Sequence, residues 1–396
     1  MNIVFASHTA IHPSMVVGSH QLARVYARQG HRVLHISLPF SVFHLARLHR
    51  PRMGSRLWQA LKGPHEVADD LFQWTPLSVL PWDAWKRRLA EKDRTGPVHN
   101  PTIPSSRKIA SVLDRLKIHR VDLLLLDDPR MIGIEDDIAA EKMIYRATDL
   151  YAEFRGDRQI IEAERRLVRR ADHLVATSPD VGEHLDQLSN RRGVTVIPNG
   201  FDDRHFGRRV APHPTLSHDD AVRIVYVGAI DDRFDFEAVV HLAEQNPDHR
   251  VYLYGPITQT RPQRPPNLSC LGPLPYAELP SVLQHCQIAL LPFRDTPTNH
   301  GRSPMKLYEY LASGCRVVAF RTRRLQDISD RPDVYLYDRD RGDDLVHAVQ
   351  SVINDMAADA ERPQNHGRGN VRVDIDHFPT WSKNAEAILA LVKQVG

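Results

Sequence analysis

The sequence predicts an α/β protein with two doubly wound domains, each a parallel sheet covered by helices. Short apolar runs alternate with helix-like segments through residues 2–197, and the alternation restarts at residue 223. Such alternation is typical of parallel sheets with helices on both faces. The intervening segment Phe201–Asp220 is polar and contains Pro212 and Pro214, so it predicts a linker.

A βαβ unit opens the first domain. Asn2–Ala6 and Arg32–Ser37 predict strands, and Gly18–Arg28 predicts the helix that joins them. We assign residues 1–205 to this domain. Later apolar runs predict its remaining strands, at Val121–Leu126, Lys142–Ala147, His173–Thr177 and Thr195–Ile197.

The second domain repeats this pattern over residues 218–379. A final helix at Ser382–Val395 follows the last predicted strand, so we expect residues 380–396 to cross back onto the first domain. Strands are predicted at Arg223–Gly228, Arg250–Tyr254, Leu268–Leu271, Ile288–Leu291 and Arg316–Phe320, and helices at Phe236–Gln245, Ala277–Gln284 and Met305–Ser313.

The composition is ordinary for a globular protein, with 42% hydrophobic and 26% charged residues among 396. The net charge is only +3 and no nucleic-acid-binding motif is present, so we expect no nucleic-acid partner. The three cysteines are too scattered for a disulfide framework or a zinc site, which favours a reducing compartment. We find no signal peptide and no apolar run long enough to span a membrane, and therefore expect a cytoplasmic protein.

One short segment predicts a binding site for a diphosphate. Ser303 is a good N-cap and Pro304 is tolerated in the first turn, so a helix begins here, and Gly314 ends it. The helix N-terminus suits an anion, and Lys306 adds a positive charge. Glu309 lies on the same helix face, where its carboxylate suits the two hydroxyls of a ribose. An ordinary solvated Lys306–Glu309 pair is the alternative.

Residues Ser303–Val318 closely resemble the nucleotide-sugar signature of GT-B glycosyltransferases, S-P-x-K-x-x-E-Y-x-A-x-G-x-P-V-V, with Cys315-Arg316 replacing the usual residue and proline. The resemblance implies two Rossmann-like domains facing across a cleft, with the nucleotide-sugar donor bound by the second. Five other segments resemble elements of this superfamily in the right order: Val196–Asp202, Ile224–Gly228, Tyr252–Pro256, Leu271–Leu279 and Ile288–Phe293.

The same resemblance assigns residues to the donor. The predicted set for the nucleotide and its phosphates is Gly228, Arg233, Gly255, Leu274, Tyr276, Ser303, Pro304, Met305, Lys306 and Glu309, and the set for the donor sugar is Asn299, His300 and Arg302. Within this set Arg233 has a second interpretation, as a surface arginine.

The chain departs from the retaining members of the superfamily, which carry E-x7-E. The residue eight positions before Glu309 is Gly301, so the first glutamate is absent. We therefore predict an inverting transferase, which needs a general base near the acceptor hydroxyl. We also predict no metal and no other cofactor, because Lys306 and the helix N-terminus stabilise the leaving diphosphate.

The candidate base is Asp149. The segment Met143–Asp149 resembles the Y-R-A-S-D motif of GumK-like, xanthan-type glucuronosyltransferases, and Ser303–Leu307 resembles the S-x-M-K-L donor loop of the same family. The resemblance implies that Asp149 accepts the proton of the acceptor hydroxyl. A turn-forming or helix-capping aspartate is the alternative interpretation.

Three other residues stand at the ends of predicted strands in the first domain. Asp127 and Asp128 follow one strand and are alternative carboxylates for the base, unless they cap the helix that begins at Pro129. His8 directly follows the first strand and is a second catalytic candidate, able to bind or deprotonate an acceptor hydroxyl. A structural histidine is the alternative there.

Residues 41–64 predict contact with an anionic membrane surface. Five basic residues and no acidic one are interleaved there with Phe43, Trp58 and several leucines, and residues 82–89 show a similar pattern. We therefore expect a peripheral location on the inner face of the plasma membrane. An amphipathic helix packed on its own domain is the alternative.

These features together predict a glycosyltransferase that moves a sugar from a UDP- or GDP-linked donor to a glycan or a lipid-linked acceptor, in bacterial surface polysaccharide or glycolipid synthesis. Two other functions stay open. One is a sugar-nucleotide epimerase with the same fold, and the other is a non-catalytic subunit that binds nucleotide. A nicotinamide enzyme and a P-loop NTPase are disfavoured, because neither glycine-rich phosphate motif is present.

Overall fold

A computed structural model of the chain describes residues 1–11, 16–49, 53–85, 100–151, 157, 159–189, 193–259, 263–296, 299, 305–326, 328–338, 344–360 and 377–393. The chain divides into two compact units. The first contains Met1–His12, Val16–Pro198 and Trp381–Gly396, and the second contains Asn199–Thr380. Each unit has its own sheet and its own hydrophobic core.

A mainly parallel sheet forms the centre of the first unit. Its described strands are β1 (Asn2–Ser7), β2 (Arg32–Ser37), β4 (His65–Ala68), β5 (Leu71–Trp74), β7 (Val121–Leu126), β8 (Ala140–Ala147), β9 (His173–Ala176) and β10 (Thr195–Val196). They lie in the order β10–β9–β8–β7–β1–β2–β5–β4, and among them β4 alone runs antiparallel to its neighbour. Two short strands, β3 (Phe40–Ser41) and β6 (Leu77–Ser78), pair separately.

Helices cover both faces of this sheet, so the central strands are apolar along their length. Ile3–Ala6 and Leu123–Leu126 are almost fully buried. The described helices are α1 (Gly18–Arg28), α2 (Met53–Lys62), α3 (Trp82–Trp85), α4 (Ser106–Arg115), α5 (Ile134–Asp137), α6 (Gln159–Arg170) and α7 (Pro179–Ser189), with 3-10 turns at Val42–Arg47 and Pro129–Met131.

The strand order of the first sheet reverses between β1 and β7. The chain moves from β1 to β2 on one side, and then returns to build β7 and β8 on the other. Doubly wound sheets bind ligands at the carboxyl ends of the strands beside such a reversal. Ser7 ends β1 and Asp127 follows β7, so both lie at this point.

The second unit repeats the architecture with a parallel sheet. Its described strands are β11 (Arg223–Val227), β12 (Arg250–Tyr254), β13 (Leu268–Gly272), β14 (Ile288–Leu291), β15 (Arg316–Phe320) and β16 (Val334–Tyr337), in the order β13–β12–β11–β14–β15–β16. The order reverses between β11 and β14. The described helices are α8 (Asp203–Gly207), α9 (Phe236–Gln245), α10 (Leu279–Leu283), α11 (Met305–Ala312), α12 (Arg323–Gln326) and α13 (Leu345–Ala360), with a 3-10 turn at Tyr276–Glu278.

The segment predicted to be a linker belongs to the second unit. Phe201, Phe206 and Leu216 are buried in the core of that unit, and α8 lies within the segment. The linker prediction for Phe201–Asp220 was therefore wrong. Its apolar residues are spaced too irregularly to show a periodic pattern, although each fills a position in the core.

The last described helix, α14 (Trp381–Lys393), lies in the first unit against α1. The hydroxyl group of Tyr26 donates to the carbonyl oxygen of Ala385 at 3.2 Å, and the side-chain amide of Asn384 donates to that of Pro198 at 2.7 Å. The predicted return of the C-terminal helix to the first domain is confirmed. Among the described residues, no helix combines the length and the apolar character that crossing a bilayer requires.

Candidate functional site

Two glycines bring backbone into close contact at the carboxyl ends of β11 and β12. A Cβ atom on Gly228 would lie 2.0 Å from the Nζ atom of Lys306. A Cβ atom on Gly255 would lie 1.7 Å from the carbonyl oxygen of Gly228. Both φ angles are positive, at 155° and 146°, which also favours glycine. A side chain at Gly255 would meet backbone, and one at Gly228 would displace the Lys306 amine. The backbone and a lysine amine thus meet where the strand order reverses.

Lys306 is the cation of this site. It lies in the first turn of α11, and its Nζ atom donates to the hydroxyl oxygen of Tyr226 at 3.3 Å. The same atom lies 4.8 Å from the centre of the Tyr226 ring, within the range of a cation–π contact. Strand β11 therefore positions the amine through Tyr226 as well as through Gly228.

Helix α11 is attached to β11 by Tyr310. The Tyr310 hydroxyl accepts a hydrogen bond from the backbone N–H of Val227 at 2.9 Å, and donates to the carbonyl oxygen of Val227 at 3.2 Å. Neither Tyr226 nor Tyr310 was among the site residues predicted from the sequence. Both tyrosines stand at positions where the apolar pattern of a strand or a helix predicts a core residue. That pattern gives no sign of the hydrogen bonds that their hydroxyl groups make between α11 and β11.

Glu309 is a buried carboxyl group one helical turn from Lys306. Its side chain is only 6% exposed, and within the described part of the chain its carboxyl group makes no hydrogen bond. Burial raises the pKa of Glu309 to about 7, Lys306 lowers it, and the nearby Asp202 raises it further. A buried carboxyl group is costly to keep in a fold, so its position one turn from Lys306 makes it a candidate for ligand binding.

Tyr276 and Leu274 follow β13, at the same edge of the second sheet. The Tyr276 ring stacks on His205 with 4.6 Å between ring centres, and its carbonyl oxygen is 2.8 Å from His205 Nε2. Leu274 is half-buried and packs on the core of the unit. His205 thus covers one face of the Tyr276 ring. His205 was not among the site residues predicted from the sequence.

The remaining donor-site predictions fall on loops. Both carboxylate oxygens of Asp231 bind the guanidinium of Arg233, so that its charge is paired. The side-chain amide of Asn299 is buried and donates to the carbonyl oxygens of Arg233 at 3.1 Å and Arg294 at 2.8 Å. Met305 begins α11. His300, Arg302, Ser303 and Pro304 lie outside the described residues.

In the first unit, Asp149 is half-buried and lies two residues beyond the end of β8. Arg146, in β8, is fully buried, and the charges of Asp127 and Asp149 both act on its guanidinium group. The loop is held by Tyr151, whose hydroxyl group donates to the carbonyl oxygen of Asp127 and lies 2.7 Å from Thr148 Oγ1. Asp149 therefore stands beside a buried cation, at the carboxyl edge of the sheet.

Asp127 and Asp128 have different roles, which the sequence left open. Asp128 accepts a hydrogen bond from the backbone N–H of Arg130 at 2.9 Å and also pairs with the Arg130 side chain, so it is the cap. Asp127 is buried, 3.8 Å from the Arg146 guanidinium. Burial raises the pKa of Asp127 to about 7, against the opposing effects of Arg146 and the Ser7 hydroxyl. The capping prediction is therefore confirmed for Asp128 and wrong for Asp127.

His8 directly follows β1 and belongs to a group of histidines. The rings of His20 and His35 lie 5.1 Å apart, and a proton on His8 would act on both of them. Burial lowers the pKa of His20 well below its usual value and that of His35 to about 3. The side chains of His20 and His35 are thus neutral near pH 7, and His8 is the half-buried member at the strand end.

Part of the chain is similar to known glycosyltransferases. Residues 233–390 match a family model described as glycosyl transferase-like. The putative teichuronic acid biosynthesis glycosyltransferase TuaH of Bacillus subtilis is 26% identical over 238 residues, which are 54% of this chain and 59% of that relative. The chain thus matches little more than half of the relative's length.

Two solved structures have the same fold as the whole chain. A sucrose-phosphate synthase from Thermosynechococcus elongatus has a TM-score of 0.68 at 16% identity, covering 100% of this chain and 98% of that one. Anabaena HepE, solved in complex with UDP-glucose, has a TM-score of 0.58 at 15% identity, covering 100% and 98%. The chain therefore has the GT-B fold, as predicted.

Proposed function

We propose that this protein is a glycosyltransferase whose second unit binds a nucleotide-diphosphate sugar and which transfers the sugar to a glycan or a lipid-linked acceptor. The observation that carries the proposal is the Lys306 amine held against Gly228, one turn from the buried Glu309 carboxyl group. The teichuronic acid relative supports a role in surface polysaccharide synthesis. The UDP-glucose bound by HepE supports a uridine diphosphate donor.

In this proposal Lys306 neutralises the diphosphate. The amine lies at the carboxyl ends of the strands beside the reversal, where doubly wound sheets bind phosphates. The Tyr226 ring and the Gly228 α-carbon restrict the amine to one position. A fixed cation stabilises the negative charge that develops on the leaving diphosphate. In metal-dependent enzymes a bound metal ion stabilises such charge. We therefore propose that transfer is metal-independent.

Glu309 binds the ribose in this proposal. A ligand hydroxyl pair would supply the hydrogen bonds that the buried carboxyl group lacks among the described residues. Such bonds favour the ionised form of the carboxyl group. Donor binding would therefore reduce the free-energy cost of burying the Glu309 carboxyl group. The protein would be more stable with the ribose bound than without it.

Replacing Lys306 by alanine should weaken UDP binding by about 10- to 100-fold, because a charge-assisted contact is worth roughly 1.5–3 kcal/mol. Isothermal titration of the full chain with UDP, in the presence of EDTA, measures this effect. Lys108→Ala, a change at an exposed lysine of α4, is the matched control and should bind UDP as the wild type does. Unchanged affinity in Lys306→Ala would refute the donor-site assignment.

Replacing Glu309 by glutamine should stabilise the free protein above neutral pH. The unfolded carboxyl group ionises near its ordinary pKa of 4.5, whereas in the folded protein the pKa is about 7. Between these values the folded state binds more protons, so the contribution of Glu309 to stability falls as the pH rises through this interval. The gain from Glu309→Gln should therefore be larger, by a few kcal/mol, at about pH 8 than at about pH 5.

Denaturant unfolding at the two pH values measures that gain, with Glu237→Gln at an exposed position of α9 as the control. The same Glu309→Gln variant should bind UDP more weakly than the wild type. Equal stabilisation at both pH values would show that the Glu309 carboxyl group is not held protonated in the folded protein. Undiminished UDP affinity would remove it from the ribose site.

We propose further that transfer inverts the anomeric configuration, with Asp149 as the base. The acceptor oxygen forms a bond to the anomeric carbon while the bond from that carbon to the diphosphate breaks, and the hydroxyl proton passes to Asp149. The buried Arg146 guanidinium supports this role, because it places a positive charge that acts on Asp149 at the carboxyl edge of the sheet.

Asp149→Asn should lower the rate of transfer by about 100- to 10,000-fold while leaving UDP affinity unchanged. Transfer from radiolabelled sugar nucleotide to an acceptor extract measures the rate. Asp114→Asn, at an exposed position of α4, is the control. Near-normal transfer by Asp149→Asn, together with loss of transfer in Asp127→Asn, would assign the base to Asp127 instead.

We also propose that the first unit binds an anionic membrane, on the inner face of the plasma membrane. Phe43 and Leu45 are exposed in the 3-10 turn, and Trp58 and Leu61 on α2 are 69% and 64% exposed. In α2 only Ala60 is buried and Leu57 is half-buried, so Trp58 and Leu61 are the apolar side chains of this helix that are left exposed. The exposed Arg47 and Lys62 add positive charge beside these side chains.

The second stretch predicted to touch the membrane, residues 82–89, differs. Trp85 is 6% exposed and packs in the core of the first unit, so for this side chain the alternative of packing on its own domain is the correct one. Trp82 is half-buried against the same core. Residues 86–89 lie outside the described residues. The membrane proposal therefore depends on residues 41–64.

The double change Trp58→Ser and Leu61→Ser should lower binding to vesicles of equal parts phosphatidylglycerol and phosphatidylcholine by at least about tenfold, because it removes two exposed apolar anchors. Co-sedimentation measures the bound fraction. Leu271→Ser, at an exposed leucine of the second unit, is the control and should bind as the wild type does. Wild-type binding by the double variant would exclude α2 as the membrane contact.

A further inference from the structure

A cavity of about 440 Å³ lies within the first unit, at the carboxyl edge of its sheet. Its lining includes Leu38 and Pro39, which follow β2, Arg130, which follows β7, and Ile160 near the start of α6, which follows β8. Because parallel strands end at the same edge, the cavity shares that edge with Asp149. None of its lining residues belongs to the donor site or is the candidate base, although Phe43 and Arg47 also belong to the proposed membrane contact.

Arg56 is the most distinctive group in the lining. Its guanidinium donates to the carbonyl oxygens of Leu38 at 3.3 Å and Pro39 at 3.4 Å, and among the described residues it has no carboxylate partner. Burial, and then the charge of Arg130, lower the pKa of Arg56 from its ordinary value. A largely enclosed cation that faces a second cation, with only carbonyl groups as partners, suits an anionic ligand.

The other charged groups of the lining do not offset Arg56 directly. Arg130 is paired with Asp128, and the Asp157 carboxylate accepts a hydrogen bond from the backbone N–H of Gln159 at the start of α6. Asp83 lies on the exposed side of α3, where its charge acts on Arg130 and His44. Arg47, which is exposed, adds a further positive charge to the lining.

Apolar side chains continue from the cavity to the surface. Phe43 and Leu80 line the cavity and are themselves exposed, at 58% and 36%. Leu45, two residues after Phe43, and Val79, which precedes Leu80, are exposed as well. A ligand with its anionic group near Arg56 would therefore have an apolar path toward solvent along Phe43 and Leu80. Free inorganic phosphate has no group that uses this path.

We infer that this cavity binds the phosphate group of a lipid phosphate, with Arg56 and Arg47 contacting the phosphate and Phe43 and Leu80 contacting the start of the chain. Identification of that lipid phosphate as the anchor of the sugar acceptor rests on the proposed function. Binding itself does not, because no residue of the donor site takes part. The cavity would hold the acceptor at the sheet edge where Asp149 lies.

The probe is octyl phosphate below its micelle concentration, titrated into the full chain by calorimetry. We expect octyl phosphate to bind at least about tenfold more tightly than inorganic phosphate, and also than octyl glucoside, which has the chain without the charge. Arg56→Gln should weaken octyl phosphate at least about tenfold. Arg169→Gln, the same change at an exposed arginine of α6, should leave binding unchanged.

A second variant guards against a folding defect in Arg56→Gln. Arg47 is exposed, so Arg47→Gln should fold normally and still weaken octyl phosphate, by about threefold or more. Equal affinities for octyl phosphate and inorganic phosphate would assign the cavity to a free phosphate and overturn the inference. Wild-type affinity in both Arg56→Gln and Arg47→Gln would also overturn it.

UDP binding separates this inference from the proposed function. Lys306→Ala should keep octyl phosphate affinity while losing UDP affinity, and Arg56→Gln should do the reverse. Displacement of octyl phosphate by UDP would mean that the probe occupies the donor site, which overturns the inference alone. Failure of the wild type to bind UDP, with octyl phosphate binding intact, would refute the donor proposal and leave the cavity assignment standing.

Discussion

The amine of Lys306 lies against the α-carbon of Gly228, and the candidate donor site depends on this contact. The residue after strand β11 is a glycine, and a Cβ atom there would lie 2.0 Å from the amine in its present position. The residue after strand β12 must lack a side chain, because the backbone carbonyl oxygen of Gly228 occupies that space at Gly255. Helix α11 must also stay attached to β11 through Tyr310. Three elements thus fix one cation where the strand order reverses.

Both units keep a buried carboxyl group beside a cation at this edge of their sheets. Glu309 has Lys306, and Asp127 has Arg146. Burial raises each pKa to about 7, although the neighbouring cation opposes the shift. Groups of this kind reduce stability, and buried carboxyl groups with a raised pKa are common at functional sites. The arrangement in two different sheets points to two binding surfaces.

Strands and helices with a clear apolar pattern could be predicted from the sequence, and those with a weak pattern could not. Central strands such as Val121–Leu126 have the continuous apolar runs of a buried parallel sheet, and the structure has them there. Strand β5 was not predicted, because it has four residues and contains Gln73. Gln73 is buried, and its side-chain oxygen lies at hydrogen-bond distance, 3.1 Å, from His35 Nδ1. These two residues are 38 positions apart in the sequence. No local pattern encodes such a partner.

Three features followed from the sequence alone: the order of the strongly patterned strands and helices, the positions of Gly228 and Gly255 at strand ends, and the spacing that puts Lys306 and Glu309 on one helix face. These are local properties of the chain, set by periodicity and backbone preference. Other features became visible only in the tertiary structure. Asp128 caps a turn while Asp127 is buried. Tyr226 and Tyr310 hold Lys306 and its helix, and Arg56 lines a cavity. The burial and charge around a side chain come from residues distant in sequence, so they exist only once the chain has packed.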